Sequence, residues 1–242
     1  MSKDYYAADL AYIHDVGFCH HVRRMTQAIL PLLGEATKEK LVVDLGCGSG
    51  VSAHALAKAG FKTLGIDYSA EMIALARARD KQTTYRQGSF LEAEIPECHA
   101  ALAIGEVINY LFDPNNKKTS LNAFFRKVFK ALRPGGWFIL DFAEPGRHTA
   151  SKQSFVEGDD WACVAKYEHD KSRQTLTRQI VSFRKVGRSY RRAEETHVQR
   201  LYKASEIAGS LRKIGHKARV VRKLPNYQLP HGVAAVFARK PA

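Results

Sequence analysis

Two carboxylates and three glycines carry the clearest chemistry in this sequence. Asp44 ends the apolar run Leu41-Val42-Val43, and Gly46, Gly48 and Gly50 follow at alternate positions. Glycine has no Cβ and tolerates positive φ, so such a turn lets backbone approach a nucleotide-like ligand closely. The spacing departs from the dinucleotide pattern G-x-G-x-x-G, because Val51 stands in the third glycine place. An acid two residues before the first glycine would repel a pyrophosphate; it suits a ligand that carries positive charge. Asp67 ends a second short run, Lys62-Thr63-Leu64-Gly65-Ile66, about 20 residues further on, where a carboxylate can accept from both hydroxyls of a ribose. Glu106, His14 and His148 are the candidates for a general base. Cys19-His20-His21 holds metal-ligand residue types, but neighbours on a helix do not face one another. That segment reads as a polar helix face, and no metal site is expected.

These groups need elements to position them. Residues 52–60 have helical composition after the glycine turn. Ser69 fits the N-cap of a second helix, with Met72 facing inward. Residues 83–87 read as a third strand leading to Ser89 and Phe90, and 101–104 as a fourth leading to Gly105 and Glu106. Apolar residues at helical spacing over 121–132 are ended by Arg133-Pro134-Gly135-Gly136, before a fifth strand at 137–141. Alternating β and α units imply an α/β, doubly wound parallel sheet. Residues 176–184 and 190–202 alternate polar and apolar about a turn at 185–188, as in an antiparallel meander with one wet face. A helix at 204–214 and strands at 218–224 and 233–239 resume the sheet. The first 35 residues read as mostly helical.

The segment D-L-G-C-G-S-G, residues 44–50, resembles the first motif of class I S-adenosylmethionine-dependent methyltransferases. G-I-D-Y-S-A-E-M at 65–72 and L-R-P-G-G-W-F-I-L-D-F at 132–142 are similar to later motifs of that family. T-H-V-Q-R-L-Y-K-A-S-E-I at 196–207 resembles its small-molecule members that carry an antiparallel insert after the fifth strand. The resemblance implies one Rossmann-like, seven-stranded domain over 1–242. Within it lie an N-terminal helical cap (1–35), a cofactor-binding core (36–148), a lid insert (155–202) and the closing helix and strands (203–242). It implies S-adenosyl-L-methionine as cofactor and S-adenosyl-L-homocysteine as product. The implied contacts are Asp44, Gly46, Cys47, Gly48, Asp67, Tyr68, Met72, Ser89, Phe90 and Gly105. Ser89 stands where the family often has an acid or a small polar residue against the adenine amino group. The implied reaction is methyl transfer to an oxygen or nitrogen of a small metabolite. Gly105-Glu106-Val107-Ile108 departs from the N-P-P-Y or D-P-P-Y tetrapeptide that marks methylation of planar amino groups. The choice of base stays open.

The 242 residues carry a net charge of +14, and 45% are hydrophobic, enough for a real core. Residues 161–223 hold 17 Lys and Arg against 5 Asp and Glu, so the cofactor core is nearly neutral and the insert region basic. One reading is an RNA-docking surface, which makes an RNA methyltransferase the main alternative. The favoured reading is a solvated strand face, because the aromatics are not clustered with the cations as a stacking platform requires. A non-catalytic S-adenosylmethionine-binding protein is a third reading. No run of 18 apolar residues exists, so no membrane span is expected. The first residues lack the apolar stretch of a signal peptide. Four scattered cysteines fit reduced thiols in a cytoplasmic chain.

Overall fold

Short apolar runs without alternation become strands that are covered on both faces. The structure, a computed structural model, describes residues 5–148 and 152–242. The first four residues of the expected cap lie outside the described residues. Five strands come first: β1 (Leu41–Leu45), β2 (Lys62–Asp67), β3 (Thr84–Gln87), β4 (Cys98–Ala103) and β5 (Leu132–Ala143). An insert follows, made of β6 (Gln153–Gly158), β7 (Trp161–Asp170), β8 (Thr175–Val186) and β9 (Ser189–Arg200). The chain closes with β10 (Lys217–Val221), the short pair β11 (Lys223–Leu224) and β12 (Tyr227–Gln228), and β13 (Val233–Arg239). The helices are α1 (Ala8–Gly17), α2 (His20–Ile29), α3 (Val51–Lys58), α4 (Ala70–Arg79), α5 (Lys118–Ala131) and α6 (Ala204–Ile214).

Seven strands form one sheet in the order β10-β13-β5-β4-β1-β2-β3. The first five are parallel, while β13 runs antiparallel to both β5 and β10. Val42, Val43 and Leu45 of the central strand are fully buried. Met25 and Ile29 of α2 and Leu56 of α3 cover one face; Phe124, Phe125 and Val128 of α5 and Leu211 of α6 cover the other. The chain leaves β1 toward β2 and β3, then returns to place β4 on the other side of β1. This reversal opens a crevice at the carboxyl ends of β1 and β4, the usual ligand position in such sheets. Among the described residues no helix is long and apolar enough to cross a membrane.

The insert is a separate four-stranded antiparallel sheet, β6-β7-β8-β9. Its inner face (Trp161, Cys163, Ala165, Ile180) packs on Leu10 and Ile13 of α1. Two expectations shift. The strand expected at 218–224 ends at Val221, and Lys223–Leu224 turns away to pair with Tyr227–Gln228. The fifth strand starts at Leu132, and the Pro-Gly-Gly segment becomes a register shift against β4 rather than a free turn. The helical cap is broken at Phe18 and Cys19 into α1 and α2, and all four cysteines are free.

Candidate functional site

The floor of the site is the turn from β1 to α3. Gly46 and Cys47 donate backbone N–H groups to Ile66 O at 2.7 and 3.0 Å, which ties the turn to β2. Gly46 has φ +70°, and a Cβ there would lie 2.5 Å from Val107 Cγ2. Gly48 has φ +53°, and a Cβ there would meet nothing within 4 Å. Its backbone is therefore bare toward a cavity of about 280 Å³. Asp67 accepts from Gly48 N–H at 2.7 Å and from Ser69 N–H at 2.9 Å. Burial raises its pKa, and those N–H groups oppose the shift. A carboxylate has about four lone-pair positions, so acceptor capacity remains toward the cavity.

Asp44 lies below the turn and is not on the cavity wall, contrary to the expectation that it faces a cationic ligand. Ser52 Oγ donates to it from the first turn of α3, with help from the Ala53 N–H. Burial pushes its pKa up to about 7. It braces the start of α3, where four N–H groups lack helical partners.

Along one side, Ser69 caps α4 by accepting from Met72 N–H at 3.2 Å, and Met72 is buried on the wall. Phe90 stands against Phe124, with ring centroids 4.9 Å apart. Ser89 Oγ donates to Asp113, and both residues line the cavity. An acid thus stands beside Ser89, supplied by a loop 24 residues further along.

The far end is built after β4. Gly105 and Glu106 donate their N–H groups to Asp141 Oδ1 at 2.8 and 2.7 Å, and Glu106 has φ +61°. Asn109 fixes this segment: it donates to Ala143 O and Arg200 O and accepts from Ala143 N–H. Glu106 receives three donors: Arg147 Nε at 2.9 Å, Arg178 Nη2 at 2.7 Å and Gln199 Nε2 at 2.7 Å. Arg178 Nη1 also donates to Tyr110 OH at 3.1 Å, and the Tyr110 and Tyr6 hydroxyls lie 3.2 Å apart. The cap closes the cavity through Tyr5, Tyr6, His14, Phe18, His21 and Val22.

A sequence profile described as "Methyltransferase domain" matches residues 36–203. The chain belongs to the methyltransferase-domain family. A protein of Mycolicibacterium smegmatis described as a "Probable S-adenosylmethionine-dependent methyltransferase" is 31% identical over 111 residues, which is 46% of this chain and 40% of that protein. A ubiquinone biosynthesis O-methyltransferase of Proteus mirabilis is 27% identical over 133 residues, 47% of this chain and 54% of its own. The chain thus spans about half the length of these two relatives. A solved S-adenosylmethionine-dependent methyltransferase of Clostridium acetobutylicum superposes with a TM-score of 0.79 at 18% identity, covering 96% of this chain and 98% of that one. The methyltransferase CcbJ of Streptomyces caelestis gives 0.77 at 17% identity, with both chains fully covered. The fold of this methyltransferase domain is therefore that of the S-adenosylmethionine-dependent enzymes, and its family's cofactor is S-adenosylmethionine.

Nine of the ten cofactor contacts expected from the sequence line this domain's cavity: Gly46, Cys47, Gly48, Asp67, Tyr68, Met72, Ser89, Phe90 and Gly105. Asp44 does not. The three base candidates separate. Glu106 is on the wall, but its two arginines outweigh burial and hold its pKa at about 2, so it is ionised and a poor proton acceptor. His148 is off the wall and stacks on Tyr167 at 4.1 Å; burial lowers its pKa to about 3. His14 is on the wall, and burial lowers its pKa to about 4, which keeps it neutral at pH 7; its Nδ1 has no hydrogen-bond partner.

Sequence reasoning missed Tyr110, Phe112, Asp113, Arg147, Arg178 and His21. Arg178 left a readable signal. It shares the inward register of Leu176 and Ile180 in β8, where a charged residue breaks the apolar face.

Proposed function

We propose that the protein transfers a methyl group from S-adenosylmethionine to an oxygen or nitrogen atom of a small metabolite. One observation carries the reading: a single walled cavity runs from Asp67 and Ser89 past Gly46 and Gly105 to Glu106 and Arg178. When bound, S-adenosylmethionine supplies an activated methyl group on its sulfonium. Asp67 holds the ribose hydroxyls, and the bare Gly48 backbone lets the cofactor lie close. Ser89 and Asp113 face the adenine amino group, with Phe90 against the ring. The cap and the insert exclude water and orient the acceptor, so the protein's main contribution is position. If the acceptor atom carries a proton, His14 is the wall residue with an unpartnered ring nitrogen to take it, as a base weakened by burial.

Small acceptors suit the enclosure. The structural neighbours include the sugar N-methyltransferase KedS8 of Streptoalloteichus and the amino pentose methyltransferase CalS10 of Micromonospora echinaspora, with TM-scores of 0.72 and 0.69. Against RNA docking, the insert directs two of its cations inward, Arg178 to Glu106 and Arg184 to Asp9.

Calorimetry with S-adenosylhomocysteine tests the site. Asp67→Asn keeps the shape and one acceptor oxygen but removes the charge, and Asp67→Ala removes both. Affinity is expected to fall by about tenfold and about a hundredfold respectively, as charge-assisted hydrogen bonds predict. Unchanged affinity in both variants would remove Asp67 from the cofactor site.

A further inference from the structure

Charge is unevenly paired around the cavity. At the far end two guanidinium groups, Arg147 and Arg178, share the single carboxylate of Glu106. Gln199 adds a neutral donor to the same carboxylate. No other carboxylate is paired with either arginine among the described residues. The neighbouring His21 has its own counter-charge in Asp141, and His14 is neutral. The phenol of Tyr6 stays protonated, because burial raises its pKa well above the usual value. Of the wall's other carboxylates, Asp67 accepts from the Gly48 and Ser69 N–H groups and Asp113 from Ser89 Oγ, so within the Glu106 cluster one positive charge is left over, and a buried uncompensated charge is costly. Arg178 Nε has no hydrogen-bond partner. Both arginine side chains are mostly buried, 19% and 16% exposed, so solvent screens them little. Beside them the rings form a stack, with Phe112 held between Tyr5 and Tyr110. Tyr110 stacks on Phe112 at 4.6 Å and Tyr5 stacks on Phe112 at 4.1 Å, with Tyr6 at the edge of both Phe112 and Tyr110.

We propose that this end of the cavity is an anion subsite, in which Arg178 and Arg147 receive the carboxylate of an aromatic acceptor lying beside the Tyr110 end of the ring stack. The inference rests on the methyltransferase reading and narrows its acceptor class. It separates this chain from enzymes whose acceptor arrives as a protonated amine, which two arginines would repel. A carboxylate could also come from the methionine moiety of the donor, so the test has two arms.

The first arm uses protein saturated with S-adenosylhomocysteine and measures benzoate, benzamide and benzylamine by calorimetry. Benzoate is expected to bind at least about tenfold more tightly than the other two, the usual advantage of a charge-assisted pair. Arg178→Gln is expected to erase the preference, and Arg147→Gln to reduce it. The measurement on the unaltered protein needs no variant to fold. Equal binding of the three probes, no binding of benzoate, or preference for benzylamine overturns the subsite. The second arm compares S-adenosylhomocysteine with methylthioadenosine, which lacks the amino-acid end. If Arg178→Gln weakens the first by about tenfold and leaves the second unchanged, the arginine serves the donor's carboxylate and the proposal fails. Failure of S-adenosylhomocysteine to bind the unaltered protein would instead defeat the methyltransferase reading itself.

Discussion

Burial by itself raises the pKa of a carboxyl, yet Glu106 is held at about 2, because Arg178 and Arg147 favour its charged form more strongly than burial opposes it. The residue is thus a structural anion on the cavity wall. Glu106→Gln keeps the shape but leaves two buried guanidinium groups without a counter-charge. Breaking a buried ion network is expected to cost about 3 kcal/mol of folding stability at pH 7. The pH dependence has a definite sign. Because the folded pKa lies below the unfolded value of 4.5, the contribution is present above pH 4.5 and is lost as pH falls toward 2. Urea unfolding at pH 7, 4 and 3 should therefore show the gap between the two proteins closing with acidity. A gap independent of pH would mean that the glutamate is not stabilising as an anion.

The turn after β1 is the element that sets the floor of the cavity, and its glycines have different duties. A Cβ at Gly46 would overlap the branched side chain of Val107 at 2.5 and 2.6 Å, whereas one at Gly48 meets open space. Gly46→Ala is expected to destabilise the fold by more than about 2 kcal/mol, from overlap added to left-handed strain. Gly48→Ala should cost only about 1 kcal/mol of stability, from backbone strain alone. Its methyl group would project into the cavity, so S-adenosylhomocysteine affinity should fall at least about tenfold. Melting curves and calorimetry on the two variants give opposite rankings if the assignment is right. The sequence made this turn legible because its causes are local: an apolar run, an acid and three glycines within ten residues. The same holds for Ser69, whose capping bond to Met72 follows from spacing alone. Asp44 was legible as a strand end but not in its role, because α3 packs down over it. Arg178, Asp113 and His21 arrive through the insert, a loop and the cap. Long-range pairing brings them in, and no short window of sequence encodes that.

At the scale of the whole molecule, the cap and the insert clasp one another over the sheet. Glu195 of β9 accepts from the N–H groups of Tyr6 and Ala7 at 2.8 and 2.9 Å. Asp9 of α1 takes Arg184 and Arg191 from the insert. Part of the +14 charge is therefore spent on holding two layers together. The cap's second anchor is His21 of α2, whose Nε2 meets Asp141 at the end of β5 and whose Nδ1 lies 2.8 Å from Tyr227 OH. Burial lowers the imidazole pKa, but the charge and hydrogen bond of Asp141 outweigh it, and the net shift is upward. A raised folded pKa makes the contribution complete below the unfolded value of 6.5 and progressively lost as pH rises through the folded one. The same carboxylate holds the N–H groups of Gly105 and Glu106, so the anchor ties α2 to the turn after β4. Hydrogen exchange over residues 20–29, corrected for the intrinsic effect of pH, should report more frequent opening of α2 on the alkaline side of this window. His21→Gln should open as readily at pH 6 as the unaltered protein does at high pH, and its own opening should not vary with pH. Parallel pH curves for the two proteins would show that α2 is held by its apolar face, Met25 and Ile29, and not by the imidazole.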